Sequence, residues 1–116
     1  MTEWVRPNAR KFLAVCHGGN NRSAALTRIL HDELGQEAVP IGWSRHTEQS
    51  LNHFCEWADY VIAMTAEIAT HIPLKYKDKI RVVDVGEDTY GNPYHAVLTT
   101  SLRAIAQEWQ RQEFRI

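Results

Sequence analysis

Short apolar runs alternate along the chain with longer stretches of helical periodicity. The runs have the length and composition of buried strands, and they occupy residues 11–16, 38–43, 58–64 and 79–85. The second is the weakest strand prediction, because Pro40 cannot donate a hydrogen bond to a neighbouring strand. In the stretches that follow each run, apolar residues recur at spacings of three and four, which predicts four helices.

Residues with known capping preferences mark the ends of these helices. The first helix is predicted to begin at Arg22, and Gly35 stands where a C-terminal capping glycine belongs. Thr47 and Thr65 are typical N-caps for the second and third helices. The last helix is predicted to begin at about Ala96.

The order of these elements predicts an α/β fold of three layers. Strands that alternate with helices four times imply right-handed crossovers and a four-stranded parallel sheet with helices on both faces. We find no repeat, low-complexity tract or linker, so residues 1–116 are expected to form a single domain. Ligands of such sheets bind beyond the carboxyl ends of the strands, which places Cys16 and the acidic loop around Asp88 on one rim.

Composition narrows the classes of function. With 13 basic and 14 acidic side chains among 116 residues, the formal net charge is −1, and nothing indicates a nucleic-acid or membrane partner. No apolar run approaches the roughly 20 residues that span a bilayer. Residues 1–11 lack the apolar segment of a signal peptide, so we expect a cytoplasmic protein with reduced thiols. Neither Cys16 nor Cys55 belongs to a zinc-type pair, and the six histidines are scattered, so we expect no metal and no cofactor.

One cysteine lies at an unusual place, in the segment VCHGGNNRSAALTRIL, residues 15–30. A cysteine at the end of a strand, before a bend into a helix, faces the positive end of the helix dipole. Gly18 and Gly19 allow successive backbone N–H groups to turn inward, as in an anion-binding nest. Such a bend favours a bound oxyanion and the thiolate form of Cys16.

Two further side chains complete this pattern. Arg22 can hold two oxygens of a phosphate with its planar fork, and Ser23 can donate a hydrogen bond to the sulfur. The segment therefore reads C-x5-R-S, which predicts a cysteine-based phosphate loop. A buried structural cysteine beside a simple turn is the alternative.

At these residues the chain resembles the low-molecular-weight protein tyrosine phosphatases. WADYVIAM (57–64) looks like the third strand of that family, and VVDVGEDTYGNPY (82–94) is similar to its late loop, which carries Asp-Pro-aromatic-Gly. The resemblance spans residues 11 to about 110. It implies the same four-stranded parallel sheet and no metal.

The resemblance also implies roles for individual residues. Cys16 would be the nucleophile, Arg22 would hold the phosphate, and Asp88 would be the general acid. Asp84 is the competing acid, and its ordinary role would be to brace the loop. The residues expected to bind the substrate are His17, Gly18, Gly19, Asn20, Asn21, Ser23 and Tyr90, and Trp43 and Tyr94 are further candidates for the cleft wall.

Several positions differ from the family pattern. Gly19 replaces an asparagine that braces the loop, Asn20 replaces an apolar residue of the pocket, and Thr89 follows the acid in place of proline. The expected partner is a phosphorylated protein or a small phosphate ester. The expected assembly is a monomer or a weak homodimer, for which Trp4 and Phe114 are candidate contacts.

Two other functions remain open at this point. A non-catalytic phosphate-binding module would keep the loop and Arg22 and would not need Asp88. A thiol-dependent arsenate reductase on the same fold would need a further cysteine to relay a disulfide. Cys55 is the one other cysteine, and its predicted place on the second helix argues against that reaction.

Overall fold

A single parallel sheet of four strands organises the protein. In the computed structural model, which describes residues 9–17, 21–45, 47–86, 90 and 92–113, the strands lie in the order β2-β1-β3-β4. Their bounds are Lys11–Cys16 for β1, Glu37–Gly42 for β2, Tyr60–Ala63 for β3 and Ile80–Val82 for β4. Every pairing is parallel. The predicted four-stranded parallel sheet is therefore confirmed.

The helices follow the strands as the periodicity predicted. Their bounds are Arg22–Asp32 for α1, Glu48–Trp57 for α2, Ala66–Ala69 for α3 and Ala96–Glu108 for α4. The hydroxyls of Thr47 and Thr65 cap α2 and α3 by accepting backbone N–H bonds, each of 3.1 Å. Gly35 has the positive φ of 67° expected after α1. Short turns that the sequence did not predict also occur, namely the 3-10 turns Trp43–Arg45 and Leu74–Lys79 and the π-helical turn Trp109–Glu113.

Helices cover both faces of the sheet, and each face has its own core. On one face α1 and α4 pack on alternate residues of the strands; this core includes Phe12, Cys16, Leu26, Leu30, Met64, Leu98 and Leu102. On the other face α2 and α3 pack on the remaining strand residues; this core includes Leu13, Val15, Leu51, Cys55, Val61 and Ile68. The alternation follows from the two-residue period of a strand. It places the side chains of the two cysteines on opposite faces.

The outer strands explain two features of the sequence. Pro40 fits in β2 because β2 is an edge strand and needs hydrogen-bonding partners on one side only. The predicted fourth strand, 79–85, is too long, since β4 ends at Val82. The last bond to β3 in that region runs from the N–H of Val83 to the carbonyl of Ala63 at 2.8 Å. Beyond it the Asp84 carboxylate bonds the N–H of Gly86, which turns the chain away from the sheet.

Cys55 is a fully buried thiol of the second core, with no exposed surface. Burial raises the pKa of this thiol from 9.0 to about 11, because the interior disfavours the thiolate, although the nearby Lys79 ammonium opposes the shift. The folded protein therefore keeps a proton on Cys55 that the unfolded chain releases at lower pH.

This difference predicts a loss of stability in alkali. Between about pH 9 and pH 11 the unfolded state binds fewer protons than the folded state, so the free energy of unfolding falls as pH rises. We expect a loss of about 2 kcal/mol between pH 8 and pH 10.5 from this thiol. Urea midpoints under reducing conditions should show that loss in the wild type. Cys55→Ala should lower stability at pH 8 and decline less with pH; an equal decline in both proteins would contradict the assignment.

Candidate active site

The sulfur of Cys16 lies at the carboxyl end of β1 and contacts the first turn of α1. Its Sγ is 3.0 Å from Oγ of Ser23, and both residues are almost completely buried. The contact is possible because α1 begins only six residues after the end of β1. A hydroxyl at this distance can donate to the sulfur and stabilise its negative charge. The predicted contact between the Cys16 sulfur and the Ser23 hydroxyl is thus present, and the nucleophilic role of Cys16 stays a prediction.

The guanidinium of Arg22 lies inside the protein at the start of α1. Arg22 is 5% exposed, and its Nη1 donates a 3.0 Å hydrogen bond to the carbonyl of Gly86. Its Nε is buried as well, and within the described residues no acceptor reaches it. Buried N–H groups in native proteins are nearly always hydrogen-bonded, so this donor is available to a ligand or to a water molecule. An arginine with a spare donor in this position suits an oxyanion.

The first turn of α1 adds to the positive character of this region. Asn21 precedes the helix and makes no side-chain capping bond to it, although its carbonyl accepts the N–H of Ala25 at 2.9 Å. The first N–H groups of a helix carry its positive partial charge. An anion near Cys16 therefore meets both the helix terminus and Arg22.

His17 follows the cysteine and contacts the turn after β2. Its carbonyl accepts two bonds from Ser44, one from the hydroxyl at 2.6 Å and one from the backbone N–H at 3.4 Å. The ring of this exposed residue lies perpendicular to that of Trp43 with 5.7 Å between the ring centroids, and Trp43 stacks on His71 with 3.9 Å between theirs. A groove of about 560 Å³ borders this aromatic pair. Trp43 lines this groove, and its part in a substrate cleft stays a prediction, whereas the contacts of Ser44 and His71 were not predicted.

The loop after β4 approaches Arg22 through a short, well-bonded segment. The Asp84 carboxylate accepts the N–H of Gly86 at 2.8 Å, and the Tyr90 hydroxyl donates to the carbonyl of Val85. Tyr90 is half-buried and its ring meets His95 at 5.3 Å. Asp84, which the sequence offered as an alternative acid or a brace, makes the bracing contact. Tyr90 as a substrate contact stays a prediction.

Some predicted site residues lie outside the described residues, namely Gly18, Gly19, Asn20 and Asp88. Their roles therefore stay predictions. Gly86 and Tyr90, which flank the segment 87–89, are described, and the bond from Arg22 to Gly86 brings the chain after β4 close to the start of α1. The two polar loops thus meet on one rim of the sheet.

The described residues were also searched for metal-binding groups and for membrane-spanning helices. In the ranges given above, no group of three or more His, Cys, Asp or Glu side chains could hold a metal ion. The helices of the same ranges are too short or too polar to cross a bilayer.

Comparison with known proteins gives a consistent result for the fold. No protein-family model matches the sequence, and no curated protein matches it either. Among solved structures, the YwlE arginine phosphatase from Geobacillus stearothermophilus has a TM-score of 0.64 and 21% identity, covering 91% of this chain and 96% of that one. The tyrosine phosphatase Wzb from Escherichia coli K30 has a TM-score of 0.67 and 13% identity, covering 90% and 98%.

A third solved structure agrees with these two. The tyrosine phosphatase amsI from Erwinia amylovora has a TM-score of 0.66 and 16% identity, covering 95% of this chain and 97% of its own. The likeness covers nearly all of each chain at low identity, so what it shows is a shared fold. This chain has the fold of the low-molecular-weight protein tyrosine phosphatases, as its sequence resemblance implied.

Proposed function

We propose that the protein is a cysteine-dependent phosphatase that hydrolyses a phosphate monoester. The observation that carries the proposal is the buried Arg22, which has a spare Nε–H donor and directly precedes the serine bonded to Cys16. A nucleophilic sulfur and an anion-binding guanidinium in one buried corner are the two groups that phosphoryl transfer to cysteine requires.

The proposed reaction has two steps. In the first, the Cys16 thiolate attacks phosphorus in line, the bond to the leaving oxygen breaks, and Asp88 donates a proton to that oxygen. Arg22 and the loop N–H groups hold the equatorial oxygens, where charge develops in the transition state. In the second step, water attacks the phosphorus of the cysteinyl phosphate, Asp88 accepts a proton from it, and inorganic phosphate leaves with the thiolate restored.

The substrate we propose is a phosphorylated residue of a protein, phosphotyrosine first. Two observations support a polypeptide over a small ester. Trp43 and His71 form an aromatic wall beside His17, and the groove of about 560 Å³ behind them offers room for groups flanking the phosphorylated residue. The similar structures include an arginine phosphatase and tyrosine phosphatases, so phosphoarginine is the substrate to compare with phosphotyrosine.

The two alternatives from the sequence can be separated from the phosphatase, one by the position of Cys55 and the other by an assay. Arsenate reduction through a relay needs a second cysteine near Cys16, yet Cys55 packs on the opposite face of the sheet and keeps its proton at neutral pH. This arrangement argues against the reductase. A phosphate-binding module would bind phosphate or vanadate and release no product, which is a measurable outcome.

Turnover of p-nitrophenyl phosphate and phenyl phosphate tests the proposal. Removal of the nucleophile in Cys16→Ser should lower kcat about 10³-fold or more. Asp88→Asn should slow phenyl phosphate more than p-nitrophenyl phosphate, because the poorer leaving group needs the proton more. The matched control Cys55→Ala should keep the wild-type kcat. Binding of vanadate by a wild type without turnover would favour the binding module, and thiol-dependent arsenate consumption that requires Cys55 would favour the reductase.

The hydroxyl of Ser23 gives a second prediction. Ser23→Ala removes the donor 3.0 Å from the Cys16 sulfur, so we expect kcat to fall about 10-fold, the effect of losing one hydrogen bond to a charged group. Alkylation of Cys16 by iodoacetate at neutral pH should slow with it. Thr27→Val is the matched control, since Thr27 lies one turn further along α1 and bonds the Ala24 carbonyl. Equal rates in Ser23→Ala and the wild type would contradict the role.

A further inference from the structure

We propose that Asp84 and Tyr90 are positioning residues that set the orientation of Arg22 by holding one peptide unit between them. The inference rests on the proposed function and concerns residues that the proposed chemical steps do not use. The peptide unit in question joins Val85 to Gly86. Its N–H is bonded to Asp84 Oδ1 at 2.8 Å, and its carbonyl accepts the hydroxyl of Tyr90.

Holding both ends fixes the plane of this peptide unit. A rotation about the chain that kept one bond would break the other, because the N–H and the carbonyl lie in the peptide plane and point in opposite directions. Asp84 precedes the unit by one residue and Tyr90 follows it by four. The clamp is therefore built into the loop itself and does not depend on the sheet.

Gly86 transmits this orientation to Arg22. It has a φ of 87°, in the left-handed region that favours glycine, and nothing lies within 4 Å of the place where a side chain would begin. A free glycine would sample many conformations, and the direction of its carbonyl would vary with them. Holding the preceding peptide unit fixes where Gly86 begins, which favours the observed conformation of this residue, in which its carbonyl accepts Nη1 of Arg22 at 3.0 Å.

The consequence for Arg22 follows from the shape of its side chain. A guanidinium is planar and rigid, so an acceptor on Nη1 restricts the directions in which Nε and Nη2 can donate. The buried Nε has no acceptor within the described residues and is free to bond a phosphoryl oxygen. Preorganised donors stabilise a transition state more than donors that must be reoriented. Removing the clamp should therefore lower kcat more than it raises KM.

The same geometry separates this role from general acid catalysis. In this structure the Asp84 carboxylate acts as an acceptor for a backbone N–H, whereas a general acid must donate a proton to the leaving group. An amide oxygen can also accept from an N–H, so asparagine can replace aspartate in the clamp. It cannot replace aspartate as an acid.

The test compares kcat of the variants Asp84→Ala, Asp84→Asn and Tyr90→Phe with kcat of the wild type. We expect kcat to fall about 3- to 10-fold in Asp84→Ala and in Tyr90→Phe, the range for loss of one hydrogen bond. The fall should be equal for p-nitrophenyl phosphate and phenyl phosphate. Asp84→Asn should restore kcat to within about 2-fold of wild type. The double variant should be no worse than either single one, because one lost bond already frees the peptide unit.

A matched control comes from the other end of the sheet. Asp59 is also exposed and its carboxylate accepts the backbone N–H of Lys11 at 2.9 Å. Asp59→Ala should leave kcat unchanged while costing thermal stability as Asp84→Ala does. A fall in kcat for both alanine variants would show a general loss of stability and overturn the inference.

Other outcomes are equally decisive. A larger loss on phenyl phosphate than on p-nitrophenyl phosphate in Asp84→Asn would make Asp84 the acid and overturn the positioning role. Additive losses in the double variant would overturn the shared clamp. If the wild type has no turnover, the proposed function fails by itself, and the inference is then judged by vanadate affinity. The affinity of Asp84→Ala for vanadate should be at least about 3-fold lower than that of the wild type. Equal affinities would contradict the positioning role.

Discussion

The burial of one positive charge is the constraint on which the rest of this structure depends. Taking a guanidinium out of water costs several kcal/mol unless polar partners surround it, and Arg22 is 5% exposed. The partner seen in the described residues is the Gly86 carbonyl, which offers an acceptor and does not neutralise the charge. Within the described residues the guanidinium is thus a buried positive charge that an oxyanion can pair with, and its bond to Gly86 joins the start of α1 to the chain after β4.

The topology of the sheet makes the contact between Arg22 and Gly86 possible, and most of that topology was predicted from the sequence. Parallel strands end on one edge, so loops after β1 and β4 emerge together although β3 lies between them. Hydrophobic runs and helical spacing predicted the four strands, the four helices and the caps at Thr47 and Thr65, because these depend on local pattern. The length of β4 was overestimated, since 83–85 are apolar enough for a strand but are drawn away by the Asp84 bond.

The site was predictable to the extent that its chemistry is local. The C-x5-R-S spacing predicted that Cys16, Arg22 and Ser23 would lie together, and the structure has Ser23 in contact with Cys16 and the neighbouring Arg22 buried. The contact of Ser44 with His17 joins residues 27 apart, and the bond from Arg22 to Gly86 joins residues 64 apart. Hydrophobic periodicity carries no information about such pairs. The sequence named Tyr90 as a candidate substrate contact. It could not predict the bond of the Tyr90 hydroxyl to the Val85 carbonyl, because that bond depends on the conformation of the loop.

The two borders of the sheet have a consequence for assembly. An exposed strand with free N–H and carbonyl groups invites pairing with another chain. Here one border carries Pro40, which lacks an N–H, and the other is the three-residue strand β4. Both borders are poor templates for an added strand. Self-association through sheet extension, and the aggregation that accompanies it, is therefore disfavoured by the same residues that shape the edges of the fold.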